Sequence, residues 1–400
     1  MNNQHIPDVV LCGGQRTPFG DFGKSLKDVV GTDLGIHAAT ATLDALGLDA
    51  QRVDHLVCGN VMPVDQGGYF SARVIALGAG MAEESRALNV SRACGSGTQA
   101  IVSAAEQIIT GHSSIALAGG YENASRAPYA LTDARWGMKR GAGEVVDTID
   151  YGYRDPFDLS LMGETAENLT DDFGYCRADM DEYALISQQR AAAAIDSGFL
   201  AEQIAPIEVP AGRGTTRTFD VDEFPRRSTT IETLAALRPA FRDGGRVTAG
   251  NSSGLTDGAA FVVVADRAAA AEDLGLTPRA RIVDWEVVGV PPRTMGCGPV
   301  PAIGGLLKRR DLQVDDVDYY EINEAFAVVN LHAERELGVR RDACNLYGGG
   351  ISIGHPPGAT GVRMALTAMH HMEESGARTS IVSMCLGAGQ GMAVLLERIG

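Results

Sequence analysis

The main candidate for a covalent nucleophile is Cys94, in the segment NVSRACGSG (residues 89–97). Glycines flank this cysteine where a strand-like run gives way to a helical one, which predicts that the sulfur lies near a helix N-terminus. We expect such surroundings to lower the pKa of the thiol below its usual value of about 8.5. The thiolate would then serve as a nucleophile in acyl transfer. The alternative is a buried structural cysteine before a glycine turn, and this segment alone does not choose between them.

A candidate base is His355, in the segment LYGGGISIGHPPGATG (residues 346–361). Histidine is the usual base that activates a thiol, and neighbouring glycines allow backbone and substrate to approach closely. The glycine-rich string has neither the lysine–serine ending of a phosphate-binding loop nor the spacing of a dinucleotide-binding motif. A lone histidine is more often a satisfied core residue, so this segment needs support from the others.

Two more residues could assist. Cys385 ends a strand-like run before alternating glycines, where a second thiol could move a carbon-bound proton or could simply pack in a sheet. Asn323 could hold a water or donate to an oxyanion, and it could also cap a helix that begins at Glu324.

The elements that must position these residues alternate between short apolar strands and Ala-rich helices, which predicts an α/β fold with a largely parallel sheet or sheets. The predicted strands are 9–12, 55–58, 114–118, 261–265, 319–322, 380–384 and 393–397. The predicted helices are 33–46, 97–110, 179–197, 301–310, 324–337 and 360–375. All four candidate residues fall at the carboxyl ends of strands in this scheme, where open α/β sheets place their ligand crevices.

Three segments recur in the same order, which predicts a duplicated half-domain. The echoes pair 53–60 with 317–324, 89–97 and its helix with 345–358 and its helix, and 115–120 with 381–387. Between the copies lies a long, more polar segment, whose apolar stretches favour an ordered cap over a disordered linker.

Bulk properties exclude several classes of protein. A chain of 400 residues exceeds the size of one growing core, so two or three packed units are expected. A net charge of −17 argues against nucleic-acid or anionic-membrane partners. The chain has no apolar run of about 18 residues and no signal-like N-terminus, which predicts a cytoplasmic location. Seven cysteines without C-x-x-C spacing predict neither a disulfide framework nor a metal site.

Along essentially its whole length the chain resembles the thiolase family. The resemblance rests on the segments that contain Cys94, His355 and Cys385, and on further ordered matches at RTPFG (16–20), GETAEN (163–168), TAGNSSGLTDGAA (248–260), MGCGPVP (295–301) and NEAF (323–326). So many ordered matches are far more specific than a single short motif.

The resemblance implies a duplicated five-layer αβαβα fold with an inserted loop domain that binds CoA, assembled as a homodimer or homotetramer. Its expected divisions are an N-terminal half with the nucleophile (1–120), the CoA-binding insertion (121–250), the completion of the N-terminal half (251–275) and a C-terminal half with the histidine and second cysteine (276–400).

The implied activity is that of an acetyl-CoA acetyltransferase or 3-ketoacyl-CoA thiolase, an acyltransferase of fatty acid metabolism such as β-oxidation. It would catalyse reversible Claisen condensation and thiolysis between acetyl-CoA and acyl-CoA, with ping-pong kinetics. Cys94 would carry the acyl group, His355 would activate it, and Cys385 would move the α-proton. Asn323 would hold a water that forms one oxyanion hole with His355. The backbone N–H groups of Cys94 and Gly387 would form the other.

Substrate contacts are also implied. CoA would be a substrate, with no permanently bound cofactor, and a few basic residues would have to meet it against the negative charge of the chain. The expected contact residues are Met162, Gly163, Arg226, Ser253, Met295 and Phe326. Two positions depart from the family pattern: Leu161 stands where many short-chain members have histidine, and Pro357 where isoleucine or leucine is more usual. An acyl chain longer than acetoacetyl, or a branched or aromatic one, is therefore possible.

Two alternatives remain at this point. A ketoacyl-synthase-like condensing enzyme also uses cysteine and histidine, but it needs no second catalytic cysteine, so Cys385 and the long insertion favour a thiolase. A non-catalytic, thiolase-like protein that binds acyl-CoA would be expected to lack one or more of the four central residues, and all four are present.

Overall fold

The computed structural model describes residues 7–212 and 214–399. Residues 1–6, the first part of the N-terminal segment considered above, lie outside that description. Within the described residues, no helix is both long and apolar enough to cross a bilayer. The chain begins with alternating strands and helices: β1 (Val9–Arg16), β2 (Gly20–Asp21), α1 (Gly31–Leu46), β3 (His55–Gly59), α2 (Ser71–Gly78), β4 (Arg86–Val90), α3 (Ser96–Ile109) and β5 (Ile115–Glu122).

A long insertion follows β5. Its elements are β6 (Tyr129–Ala130), β7 (Val146–Asp147), α4 (Thr148–Tyr153), α5 (Met162–Phe173), α6 (Arg177–Asp196), β8 (Ile207–Gly212), β9 (Thr215–Phe219) and α7 (Ile231–Ala235). The strands form two small antiparallel sheets, β6–β7 and β8–β9. Apolar residues of α5 and α6 pack in one cluster with Val328 and Val329, so the insertion is an ordered cap on the C-terminal part of the chain.

The rest of the chain returns to strand and helix alternation. Its elements are β10 (Thr256–Asp266), β11 (Ala280–Gly289), α8 (Pro299–Arg310), β12 (Tyr319–Ile322), α9 (Ala327–Leu337), α10 (Gly350–Ile353), α11 (Pro357–Ser375), β13 (Thr379–Leu386) and β14 (Gln390–Arg398). The sequence missed β4 and β11. Residues of β4 are largely exposed and β11 mixes acidic with apolar residues, so neither has the pattern of a buried strand.

The predicted duplication is present in the strand order. The main sheet runs β12-β13-β14-β11-β1-β10-β5-β3-β4, and its two halves join where Leu11 of β1 lies opposite Ala280 of β11. In the N-terminal half, β3 pairs in parallel with β5, and β5 pairs antiparallel with β10. In the C-terminal half, β12 pairs in parallel with β13, and β13 pairs antiparallel with β14. A single bridge between Tyr320 and Cys344 occupies the position of β4 in the second half.

The prediction of a largely parallel sheet was wrong. Among the described strands of the main sheet, the parallel pairs are β3–β4, β3–β5 and β12–β13, and the remaining pairs are antiparallel. The physical reason is visible at the β13–β14 connection, where Ala388 and Gly389 both have positive φ in a tight turn. Such a turn can only join antiparallel neighbours, and strand and helix alternation does not reveal it.

The layers place two helices in the middle of the molecule. Helices α3 and α11 lie between the two halves of the sheet, while α1 with α2 and α8 with α9 cover the outer faces, which gives the order αβαβα. Helix α11 is buried on every side from Pro357 to Met372, as expected for a helix inside a core. A Cβ on Gly361 of α11 would collide with the backbone of Thr98 in α3, so the two helices touch directly.

Candidate active site

Cys94 lies in a tight turn between β4 and α3, directly before the helix N-cap Gly95. The preceding residue, Ala93, has φ 44, a left-handed conformation that is uncommon for a residue with a side chain. The hydroxyl of Ser96 accepts from the Arg92 amide at 2.9 Å and donates to the Ala93 carbonyl at 2.7 Å. These bonds hold the turn in place and present the sulfur at the helix end.

The prediction that these surroundings lower the pKa of Cys94 was wrong. Burial raises the pKa of the thiol, although the backbone N–H groups of Gly387 and of Cys94 itself favour the thiolate. The negative charge of Glu122 also opposes ionisation. Loss of water around the sulfur therefore outweighs the helix end, and the thiol needs a base to become a nucleophile.

His355 has the hydrogen bonds that a base requires. Its Nδ1 lies 2.7 Å from the hydroxyl of Thr360, and that hydroxyl donates its own proton to the Pro356 carbonyl at 2.9 Å. The Thr360 oxygen therefore accepts from Nδ1–H, which leaves the lone pair of the imidazole on Nε2. Burial, followed by the positive charge of Arg363, lowers the pKa of His355 to about 3, so the ring is neutral at working pH.

The position of His355 differs from the prediction in one respect. It lies between α10 and α11 and does not follow a strand, because residues 350–353 form a short helical turn. Cys94 and Asn323 do follow strands, and Cys385 is the penultimate residue of β13.

Asn323 is fully buried just after β12, and its side-chain Nδ2 lies 3.3 Å from Nε2 of His355. Its Oδ1 has no hydrogen-bond partner among the described residues. The alternative role as a helix cap was wrong, because α9 begins at Ala327 and its N-cap is Phe326. The amide therefore faces the imidazole and leaves one acceptor free.

Cys385 and Gly387 approach Cys94 from the β13–β14 hairpin. Leu386 packs so closely on the Cys94 turn that a Cβ on Gly95 would lie 2.7 Å from its Cδ2. The N–H of Gly387 points at the Cys94 sulfur. Cys385 is completely buried, and its pKa is raised by burial first and then by the charge of Cys94. The two thiols are thus close enough to influence each other's ionisation.

Glu122 is a buried carboxyl group that sequence reasoning missed. It accepts from the backbone N–H groups of Val61, Met62 and Gly358 and from the side chain of Asn60. Burial outweighs these donors and raises its pKa to about 8. Since Gly358 belongs to the first turn of α11, Glu122 ties the loop after β3 to the helix that follows His355. The sequence around Glu122 gives no sign that it links these segments, because its partners lie far away in the chain, at residues 60–62 and 358.

A cavity of about 320 Å³ contains both Cys94 and His355 in its wall. Five predicted substrate-contact residues also line it, and sequence reasoning missed eight others. The predicted residues are Met162, Gly163, Ser253, Met295 and Phe326, and the missed ones are Ile149, Asp150, Tyr153, Phe241, Ser252, Gly254, Leu255 and Ala325. Leu161 lines this cavity, whereas Pro357 is not part of its wall. Asn323 and Cys385 are fully buried and are not part of its wall.

Arg226 lies elsewhere, at a second cavity of about 340 Å³. The wall of this cavity includes Ser228, Leu234 and Gly250. Gly250 is two residues from Ser252, which lines the first cavity, so the two spaces adjoin along the chain. The arrangement offers one space for a reacting group and another for the distal part of a long ligand.

Chemically, the first cavity combines a thiol nucleophile with a neutral imidazole base and backbone donors. The buried second thiol adds an acid–base group of high proton affinity. Such a set can support acyl transfer to sulfur together with proton transfer at a neighbouring carbon.

Comparison with known proteins agrees with this chemistry. Residues 9–268 match the family described as "Thiolase, N-terminal domain", and residues 276–398 match "Thiolase, C-terminal domain". The chain is 44% identical to the beta-ketothiolase BktB of Cupriavidus necator over 98% of this chain and 99% of the relative. It is 41% identical to the mitochondrial 3-ketoacyl-CoA thiolase of Bos taurus over 97% and 98% of the two chains. The crystal structure of human mitochondrial 3-ketoacyl-CoA thiolase superposes with a TM-score of 0.95 at 40% identity, over 99% of this chain and 100% of that chain.

Proposed function

The chain belongs to the thiolase family and is an acyltransferase with thiolase activity, and we propose that it works by ping-pong transfer through an acyl group on Cys94. One observation carries the proposal: Cys94 shares a cavity with His355, whose lone pair is held on Nε2 by Thr360. A thiol whose pKa is raised by burial needs such a base within its own cavity.

In the thiolysis direction, Nε2 of His355 takes the proton of Cys94 and the sulfur attacks the 3-keto carbon of a 3-ketoacyl-CoA. The backbone N–H groups of Cys94 and Gly387 stabilise the oxyanion that forms. The bond between C2 and C3 then breaks, which leaves the acyl group on Cys94 and the enolate of acetyl-CoA. Preorganised donors of this kind contribute about 3–4 kcal/mol each in comparable sites.

The enolate of acetyl-CoA must be stabilised and then protonated, and the remaining residues of the site supply these two functions. His355 and a water held by Asn323 stabilise its oxygen, and the free Oδ1 of Asn323 supports that role. Cys385 protonates its carbon in thiolysis and removes the same proton in condensation. The burial that raises the pKa of Cys385 makes its thiolate a stronger base, as abstraction from carbon requires. A fresh CoA thiol then takes the acyl group from Cys94; its proton passes to the Cys385 thiolate, and His355 returns its proton to the departing Cys94 sulfur.

CoA enters this scheme as a substrate, with no resident cofactor. Its pantetheine would lie beside Met162, Gly163 and Ser253 in the first cavity, and its nucleotide end would lie in the second cavity near Arg226. The side chain of Arg226 is 61% exposed, lies over the Phe224 ring and forms a long contact of 4.0 Å with Asp21, which leaves its guanidinium accessible to a phosphate. Met295 and Phe326 complete the wall near the reacting thioester.

For the acyl group, we propose chains longer than acetoacetyl, consistent with a role in fatty acid metabolism such as β-oxidation. Leu161 supports this preference because it adds an apolar side chain to the cavity wall at a position where histidine is common in short-chain members. A thiolysis series over 3-ketoacyl-CoAs from four carbons upward measures the preference directly.

For assembly, we propose a homodimer that forms through β4. This strand lies at the end of the main sheet, and most of its residues are exposed. An open strand edge can pair with the same edge of a second copy. Tyr69 and Phe70 beside it are each 71% exposed, which adds apolar surface. A homotetramer would need a second surface, for which Trp136 at 91% exposure is the candidate. Light scattering on the purified protein tests both states.

A cytoplasmic location also stays a proposal, which fractionation of the source cells tests. It rests on the acidic composition of the chain, which does not favour an anionic membrane surface.

The experiment that tests the reaction is acylation with acetyl-CoA alone. We expect one acetyl group on the Cys94 peptide by mass spectrometry, with release of one CoA. Cys94→Ala should abolish both, while alanine at the exposed Cys176 should leave them unchanged. Exchange of labelled CoA into acetyl-CoA by Cys94→Ala protein would defeat the assignment. Turnover of malonyl-CoA with loss of CO₂ would instead favour the ketoacyl-synthase alternative.

A further inference from the structure

The short helix α4 ends at Tyr153, whose side chain forms part of the cavity that contains Cys94 and His355. Gly152 next to it packs against Met62, since a Cβ at Gly152 would lie 3.2 Å from the Met62 sulfur. Met62 in turn donates its backbone N–H to Glu122. The phenol is thus held between the reacting sulfur and the Glu122 loop.

The hydroxyl of Tyr153 makes no hydrogen bond within the part of the chain that the structure describes. Other phenols of the core do have partners: Tyr175 bonds to His332, Tyr183 to Glu324, Tyr319 to Glu321, Tyr320 to the Val314 carbonyl and Tyr347 to His371. The hydroxyl of Tyr121 is also unpaired, but it is sealed in the core and cannot meet a ligand. Tyr153 is therefore a phenol whose free donor faces a substrate cavity.

The chemistry around Tyr153 restricts what it could bind. Burial raises the pKa of its hydroxyl far above the ordinary value, with added effects from Glu122, Cys94 and Asp257, so the group stays a neutral donor. The neighbouring wall contributes the aliphatic side chains of Ile149 and Leu161. A mostly apolar stretch of wall beside an unpaired donor suits a chain that is mostly carbon and carries one acceptor.

We propose that Tyr153 makes this enzyme select 3-ketoacyl chains that carry a neutral oxygen, such as an ether, hydroxyl or keto group, beyond the β-carbon. A carboxylate is disfavoured because the carboxyl group of Asp150 lines the same cavity. Asp150 is itself paired with Arg154 at 3.2 Å, so it offers no free partner to a cationic chain. The inference deepens the proposed function and rests on it.

The test compares 3-oxooctanoyl-CoA with analogues in which one methylene beyond C4 is replaced by an ether oxygen at successive positions. Oxygen and methylene have similar size, so the comparison isolates the hydrogen bond. We expect one analogue to exceed the all-carbon substrate in kcat/KM by about five- to tenfold, the usual effect of one neutral hydrogen bond. Tyr153→Phe should bring that ratio to about one.

Tyr151→Phe is the matched control, because Tyr151 lies on the same helix, is 59% exposed and is not part of the cavity wall. It should keep the wild-type ratio. If no oxygenated analogue is preferred while 3-oxooctanoyl-CoA is cleaved, the inference fails and the proposed function stands. An equal loss of kcat with both substrates in Tyr153→Phe would also overturn it. Absence of any thiolysis by the wild-type protein would instead defeat the proposed function.

Discussion

The backbones of α3 and α11 meet at Gly97 and Gly358, where a Cβ built on Gly97 would lie 2.7 Å from the Gly358 carbonyl oxygen. Cys94 directly precedes the N-cap of α3, and His355 directly precedes the N-cap of α11. The separation of these two central helices therefore sets the separation of the sulfur and the imidazole. Glycine at this contact is a requirement of the reaction as well as of packing.

Gly97→Ala should force α3 away from α11 and lower both stability and activity. Overpacking of this kind costs about 1–3 kcal/mol, so we expect a lower melting temperature and a larger proportional loss of thiolysis. Gly304→Ala is the control, since its Cβ would have no neighbour nearer than 3.9 Å and it lies within helix α8. That variant should melt no lower than the wild type. Full activity in Gly97→Ala would contradict the proposed coupling of helix contact to catalysis.

Thr360→Val should lower kcat by about 10- to 100-fold while the fold persists, because Nδ1–H of His355 loses its acceptor and the tautomer with a free Nε2 is no longer favoured. Thr360→Ser keeps the hydroxyl and should recover most of the activity. Steady-state thiolysis with circular dichroism on both variants provides the measurement. Equal activity of the valine and serine variants would show that the hydroxyl does not position the imidazole.

Cys385→Ala should separate the two halves of the reaction. Acetylation of Cys94 by acetyl-CoA needs no proton transfer at carbon, so we expect it to remain near the wild-type rate. Condensation of two acetyl-CoA molecules should fall by about 100- to 10,000-fold, the usual range for a lost acid–base group. Labelled CoA exchange measures the first step and acetoacetyl-CoA formation the second. A parallel loss of both steps would assign Cys385 to the acylation chemistry instead.

The contribution of Glu122 and Asp257 to stability should fall as the pH rises from about 5 to 8. Burial raises the pKa of Glu122 to about 8 and that of Asp257 to about 6, so these two groups hold their protons more tightly in the folded protein than in the unfolded chain. The stabilising contribution is present below the unfolded values and is lost as the pH passes the folded ones. Melting curves at successive pH values measure the slope, and Glu122→Gln should flatten it. A variant with the wild-type slope would refute a dominant role for Glu122.

Much of the fold was accessible from the sequence because local patterns reflect burial. The strand predicted at 319–322 matches β12, and the duplicated segments occupy equivalent places in the two halves. Strand direction was not accessible, since antiparallel returns such as β13–β14 depend on turn geometry and long-range pairing. Helix α10 was not predicted either, because the two isoleucines of 350–353 fit several structures equally well.

The sequence by itself determined the reactive groups of this protein: two cysteines, a histidine and an asparagine within motifs that belong together. Tertiary structure decided how those groups behave. Burial reversed the expected pKa shift of Cys94, and Thr360 selected the tautomer of His355. The fold also placed Tyr153 in the wall of the cavity that contains Cys94 and His355. The type of each residue can be read at its own position in the sequence, whereas its solvation and its hydrogen-bond partners depend on segments that meet only when the chain folds.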